Sequence, residues 1–237
     1  MMDGTEKHKR VYGIFQAISQ SYDSANKRIS LGLEQSWKNG LVETAVRRIP
    51  QGGALLDVCC GTGDIAIAAA AKREDIAVTG LDFSPAMLDV ARQKGTACPH
   101  VTWRRGDAMD LPFADGVFSA AVISFGLRNT PDYGAVLKEM MRVVCPGGWV
   151  YCLDSFVPDS PLIRPFYDLY FRGVMPLLGG GFCHRREYRW LWQSTRDFLR
   201  KDELTALFAA VGLENVRADS HLFGTCALHS GQKPRYI

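Results

Sequence analysis

Residues 55–66 read LLDVCCGTGDIA, and this stretch decides the fold. ALLDVC (54–59) is a short apolar run of the buried-strand type, with one acid, Asp57, near its end. Gly61-Thr62-Gly63 makes a turn, and DIAIAAAAK (64–72) follows as a helix. Glycines in such a turn let the backbone take positive φ and come close to a ligand. Working outward, the same alternation repeats. IAVTGLD (76–82) is a strand, and SPAMLDVARQKG (84–95) is a helix with Ser84 as N-cap, Pro85 in its first turn and Gly95 as its stop. VTWRRGD (101–107), VFSAAVISF (117–125) and GGWVYCLDS (147–155) are strands, with a helix at DYGAVLKEMMRVV (132–144). Strands alternating with helices at this spacing predict an α/β, doubly wound, mostly parallel sheet with helices on both faces over about 50–156. KDELTALFAAVG (201–212) adds a helix, and 213–231 adds two closing strands that are expected to be antiparallel.

The flanks differ from this core. Residues 11–50 read as helical, and IPQGG (49–53) breaks the chain before the first strand. Residues 157–197 interrupt the rhythm with the aromatic, proline- and glycine-rich LIRPFYDLYFRGVMPLLGGGF. The chain is expected to be one domain over 1–237: an N-terminal helical lid (1–50), a ligand-binding core (51–156), an aromatic insert or second lid (157–200) and a closing helix and strands (201–237).

Composition narrows the function. A formal net charge of +3 and the lack of any run of five like charges argue against nucleic acid as a partner. No run of eighteen apolar residues is present to span a membrane, and the polar start MMDGTEKHKR is unlike a signal peptide. Seven cysteines, an odd number, in such a chain point to reduced thiols and a cytoplasmic setting. No C-x-x-C pair occurs, and adjacent Cys59 and Cys60 lack further ligands nearby, so no metal is expected; they read as small side chains filling space beside a ligand.

In a doubly wound fold the ligand sits beyond the carboxyl ends of the strands. Three successive strand ends carry an acid: Asp57, Asp82 and Asp107. A dinucleotide loop wants a third glycine where Ala66 stands, and Asp64, next to Gly63, suits a pyrophosphate poorly. The acids suit a cation. S-adenosylmethionine (SAM), with its sulfonium and ammonium groups, fits; Asp82 is placed to accept the ribose hydroxyls and Asp107 to read the adenine edge.

With those residues in view, the chain resembles the SAM-dependent methyltransferases, and within them the C-methyltransferases of ubiquinone and menaquinone biosynthesis. YDSANKRISLGLEQSW (22–37), DVCCGTGDIA, GLDFSPAMLDVAR, ISFGLRN (123–129), RVVCPGG (142–148) and ALHSGQKP (227–234) carry the resemblance over almost the whole chain. Departures from the family pattern stand at Ala25, Glu34, Cys145 and Asp154-Ser155-Phe156. The resemblance implies a seven-stranded, Rossmann-like class I methyltransferase fold. It also implies cofactor contacts at Thr62, Asp82, Asp107, Ala108 and Ser124, beside Asp57, Gly61, Gly63 and Phe83 of the same loops.

The resemblance further implies methyl transfer to a ring carbon of a reduced polyprenyl quinone precursor, in the menaquinone or ubiquinone pathway. A ring carbon beside a phenol is a weak nucleophile until the hydroxyl, of pKa about 10, loses its proton. Arg128 is expected at the mouth of the site to stabilise the phenolate and Asn129 to orient the hydroxyl, with Tyr22, Asp23 and His229 as further candidates. The implied partners are a lipophilic quinol, a peripheral contact with the inner face of the membrane through the aromatic insert, and a second copy in a homodimer. Three other readings stand beside this one. One is a methyltransferase for another phenolic or natural-product acceptor; a second is a nicotinamide-dependent oxidoreductase, which Ala66 and Asp64 disfavour; the third is a non-catalytic binding module that keeps the fold, which the intact loop acids disfavour.

Overall fold

The computed structural model describes residues 11–14, 16, 22–30, 32–170, 173 and 185–235, and for a few of these, Tyr22 among them, the backbone alone. After a helical piece at 11–14 come helices α1 (Tyr22–Ile29) and α2 (Leu33–Arg48). The alternation follows as β1 (Ala54–Val58), α3 (Asp64–Lys72), β2 (Ala77–Asp82), α4 (Pro85–Lys94), β3 (Val101–Arg105), β4 (Phe118–Ser124), α5 (Tyr133–Val143) and β5 (Val144–Ser155). Then come α6 (Arg164–Leu169), α7 (Arg185–Arg196), α8 (Lys201–Ala210), β6 (Glu214–His221) and β7 (Cys226–Gln232). The strands form one seven-stranded sheet in the order β3-β2-β1-β4-β5-β7-β6. The first five are parallel, and β7 runs antiparallel to both β5 and β6.

Both faces of the sheet's middle strands are dry because their alternate residues are apolar in both directions, whereas the edge strand β6 is largely exposed. Leu56, Val58 and Ile123 pack with Val136, Leu137 and Met140 of α5 and Phe208 of α8. Their neighbours Leu55, Val122 and Tyr151 pack on the other face with Ile65 and Ala69 of α3 and with Leu41, Val42 and Ala45 of α2. α2, which the sequence reading put in the N-terminal lid, is a layer of the core, and among the described residues before it Val11 lines the cavity at the carboxyl ends of the strands. β5 also starts sooner than expected, at Val144, with an irregular register against β4 between Phe118 and Ala120.

Local signals act as the sequence predicts. The Ser84 hydroxyl accepts the Met87 N–H at 3.3 Å, with Pro85 next to it in the first turn of α4. The glycine loop is held close to the sheet by one aromatic ring. A Cβ at Gly63, whose φ is +84°, would stand 2.4 Å from the Trp103 ring, and one at Gly80 would stand 2.6 Å from it. Only glycine lets the loop and the strand share that ring. Among the described residues no helix is long and apolar enough to cross a membrane.

Candidate active site

Strand order reverses at β1, whose neighbours are β2 and β4, and there the crevice beyond the carboxyl ends opens. The cavity there is partly open to solvent. Of the residues expected to touch a cofactor, Gly61, Asp82, Phe83, Asp107, Ala108 and Ser124 line it, and Asn129 joins them from the loop after β4. Asp57, Thr62, Gly63 and Arg128 do not line it.

Asp82 organises the crevice. It ends β2 and is buried, and its two oxygens accept the N–H groups of Gly61 and Ser84, each at 2.9 Å. One carboxylate thereby ties the glycine loop to the start of α4. Burial pushes its pKa up to about 6, against these backbone donors. Asp107 accepts the Met109 N–H at 2.9 Å, which shapes the turn that presents Ala108. The buried Ser124 hydroxyl, at the end of β4, has no hydrogen-bond partner among the described residues. A buried polar atom without a partner on a cavity wall is a vacancy that a polar ligand fills. The loops on either side hold unusual backbone: Cys59 and Phe125 both take φ of +54° without being glycine. Such strain, about 1–3 kcal/mol per residue, gathers at ligand sites. Gly126 is required beside them, since a Cβ there would lie 2.7 Å from that of Cys59.

The expected residues outside the cavity have other work, and several expectations are corrected. Asp57 lies under the loop and accepts the Ala66 N–H at 3.1 Å, which anchors the first turn of α3. Burial first, and then the charge of Asp82, push its pKa up to about 8. Thr62 donates its hydroxyl to Asp23 of α1 at 2.6 Å, and Lys94 donates to the same carboxylate at 2.6 Å. Lys94 also pairs with Asp64, which pairs in turn with Lys38 at 2.9 Å, and Lys38 with Glu34. Asp64, expected to suit a cationic ligand, is thus held by two lysines in an alternating chain of charge. Burial opposes its ionisation, but Lys38 and Lys94 win and hold its pKa below the usual carboxylate value. Asp23 and Glu34 belong to this latch, which joins α1 and α2 to the glycine loop. His229 sits in the core, fully buried between Phe156 and Phe208, with Nε2 3.0 Å from the Lys201 carbonyl; it does not face the cavity.

Arg128 is also relocated. It is not at the mouth of the site. Its guanidinium, 5% exposed, pairs with the fully buried Asp154, whose other oxygen accepts the Arg128 N–H at 3.3 Å. The pair fixes the short 3₁₀ turn Leu127–Asn129 against the end of β5. Asn129 is then aimed on both sides: its amide donates to the Phe125 carbonyl at 3.2 Å and its oxygen accepts the Trp190 indole N–H at 3.2 Å. Trp190 belongs to α7 and packs with Val11, Ile14 and Phe83 above the cavity. Sequence reading missed Trp190, Val11 and Met87 at this site. Met87, in the first turn of α4 after the capping Ser84, was the one with a local signal. Tyr22 opens α1 next to Asp23, but its side chain lies outside the described residues.

Two outcomes follow from these buried groups. Asp57 keeps, in the folded state, a proton that the unfolded chain loses near pH 4. Its contribution to stability therefore falls as pH rises from about 4 to about 8, and is constant above that, with a limiting slope of about 1.4 kcal/mol per pH unit. Asp57→Asn keeps an acceptor for Ala66 and lacks the titration. Its stability relative to the parent, measured by denaturant unfolding, should rise from pH 5 to pH 8; an unchanging difference would contradict the burial argument. Arg128→Met should lower unfolding free energy by about 3–5 kcal/mol, since it strands a buried carboxylate, and adding Asp154→Leu should restore part of that loss.

Comparison with known proteins identifies the family. Residues 2–233 match the ubiE/COQ5 methyltransferase family. The chain is 44% identical to a demethylmenaquinone methyltransferase of Bacillus licheniformis over 96% of its length and 98% of that protein's. It is 43% identical to one of Staphylococcus epidermidis, over 98% and 97% of the two chains. Among solved structures it resembles a SAM-dependent methyltransferase from Thermotoga maritima, with a TM-score of 0.63 and 19% identity over 94% of this chain and 99% of that one, a likeness of fold. The chain belongs to the ubiE/COQ5 methyltransferase family, and it is a SAM-dependent methyltransferase.

Proposed function

We propose that this chain transfers a methyl group from SAM to a ring carbon of demethylmenaquinol, the reduced form of the substrate named in its relatives, as a step of menaquinone biosynthesis. The observation that carries this reading is identity of 43–44% to two demethylmenaquinone methyltransferases over nearly the full chain, acceptor side included. Bound in the cavity, SAM supplies an electrophilic sulfonium methyl.

The chain's own residues then divide the work. Asp82 accepts the ribose hydroxyls on lone pairs that Gly61 and Ser84 leave open, and Asp107 with the Ala108 N–H meets the adenine edge. Leu81, Phe83 and Met87 supply apolar walls. Ser124 offers its unpartnered hydroxyl to the amino-acid end. Asn129 faces the acceptor and orients the phenol hydroxyl whose proton must leave. Arg128 acts through Asn129 as a positioning residue, because its charge is matched by Asp154. The role given to Tyr22 rests on the sequence alone. Holding the carbon and the methyl in line supplies much of the acceleration.

In this reading the helical residues before α1 and the insert around α7 are two halves of one lid over the 51–156 core, and 201–237 closes the sheet. The enzyme works in the cytoplasm, at the inner face of the membrane that holds its acceptor. The test is product analysis with SAM and a short-tailed demethylmenaquinol. Mass spectrometry should show the gain of one methyl, and fragmentation should place it on the ring carbon. Methyl on oxygen, or turnover only with an unrelated phenol, would overturn the assignment.

A further inference from the structure

Among the described residues, large apolar side chains are exposed at few places, and the four most exposed lie in two segments. Leu162 is 79% exposed, Phe223 75%, Phe166 72% and Leu169 66%. The first segment leads into and forms α6. Leu162, Phe166 and Leu169 recur at spacings of four and three, so they share one face of the turn and helix, while Tyr167 on the other side is buried. The second segment is the tip of the β6–β7 hairpin, with Leu222 and Phe223.

Topology brings both to one end of the molecule. β7 is antiparallel to β5, and the Phe156 N–H, just past the carboxyl end of β5, donates to the Thr225 carbonyl at 2.9 Å. The hairpin tip therefore sits at the carboxyl ends of the parallel strands, where the cavity opens. α6 begins nine residues after β5 leaves that same end. The tip is also strained: Leu222 and Phe223 take φ of +43° and +55°, a region bulky side chains avoid, and so hold two apolar groups in water. His221 stacks on Trp37, with ring centres 6.3 Å apart, and ties the tip to α2.

By sequence, the insert that contains α6 and α7 is net basic. Residues 157–200 hold seven arginines and four carboxylates, a surplus equal to the formal net charge of +3 for the whole chain. Four of those arginines, Arg185, Arg186, Arg189 and Arg196, belong to α7, and exposed Arg164 begins α6. Basic residues around exposed aromatic and leucine side chains are the combination that binds the interface of an anionic bilayer.

We propose that the cavity end of the molecule docks on an anionic lipid bilayer, with Leu162, Phe166, Leu169, Leu222 and Phe223 entering the headgroup boundary. Choosing a bilayer over another apolar partner rests on the proposed lipophilic acceptor. In this orientation the mouth of the cavity faces the phase in which such an acceptor dissolves.

Flotation of the full chain with phosphatidylcholine vesicles, with and without phosphatidylglycerol, tests this. The parent should float with the anionic vesicles, and the double variant Phe166→Ser, Phe223→Ser should lose about tenfold in partition. Val117→Ser removes an exposed apolar group at the opposite end of β4 and should float like the parent. Methyl transfer to a short-tailed, water-soluble quinol should be unchanged in the double variant, which also shows that it folds. Equal flotation of the double variant and the parent, or no flotation of the parent, overturns the proposal. So does a concentration-dependent dimer that the double variant abolishes, since the face would then belong to a second copy. A chain that floats as expected but leaves the demethylmenaquinol unmodified would sink the substrate assignment and leave the docking face standing.

Discussion

The Asp82 carboxylate, bonded to the N–H groups of Gly61 and Ser84, is the constraint on which the site depends. It joins the loop after β1 to the helix after β2, and the cavity wall exists because those two segments are held together. The cost is a buried carboxylate whose pKa is pushed to about 6, with a second acid, Asp57, pushed to about 8 under the same loop. A carboxyl buried on a cavity wall holds its charge poorly without a further donor. The ribose hydroxyls of SAM are such donors, and Asp82 lines the cavity that would hold them.

The rest of the structure places a roof over that crevice by two separate means. One is electrostatic: the chain from Glu34 through Lys38, Asp64, Lys94 and Asp23 to Thr62 fastens the N-terminal helices to the glycine loop. Several of its members are only partly exposed, so solvent screens the latch less than a surface pair. The other is directional: Arg128 and Asp154 set the turn that holds Asn129, and Asn129 accepts a hydrogen bond from Trp190 of the insert. Core, N-terminal helices and insert thus meet at the glycine loop and at the loop after β4, both of which carry strained non-glycine backbone.

The sheet was legible because its signals are local. Leu55 and Leu56 point to opposite faces and are both buried, so a continuous apolar run between glycine and proline breaks could only be an interior parallel strand. Ser84 and Pro85 marked a helix start by their own chemistry. Asp82, Asp107 and Ser124 were legible because a doubly wound sheet puts strand ends in the crevice. What local reading missed are partners distant in the chain. Asp64 looks like a free acid in sequence, yet its neutralising lysines lie 26 residues before it and 30 after it. Arg128 looked exposed in a glycine-bearing loop, and only the folded sheet brings Asp154 beneath it. Trp190 gave no signal at all, since its helix is basic and its place is fixed by packing and by a hydrogen bond to Asn129, 61 residues away in the chain.

The central claim is that binding SAM drives the buried Asp82 carboxyl to ionise. Calorimetric titration of SAM at pH 6, in buffers of different ionisation enthalpy, counts the protons exchanged. With the Asp82 pKa pushed up to about 6 in the empty protein, net release of protons on SAM binding is the expected result. No exchange, or net proton uptake, would contradict it.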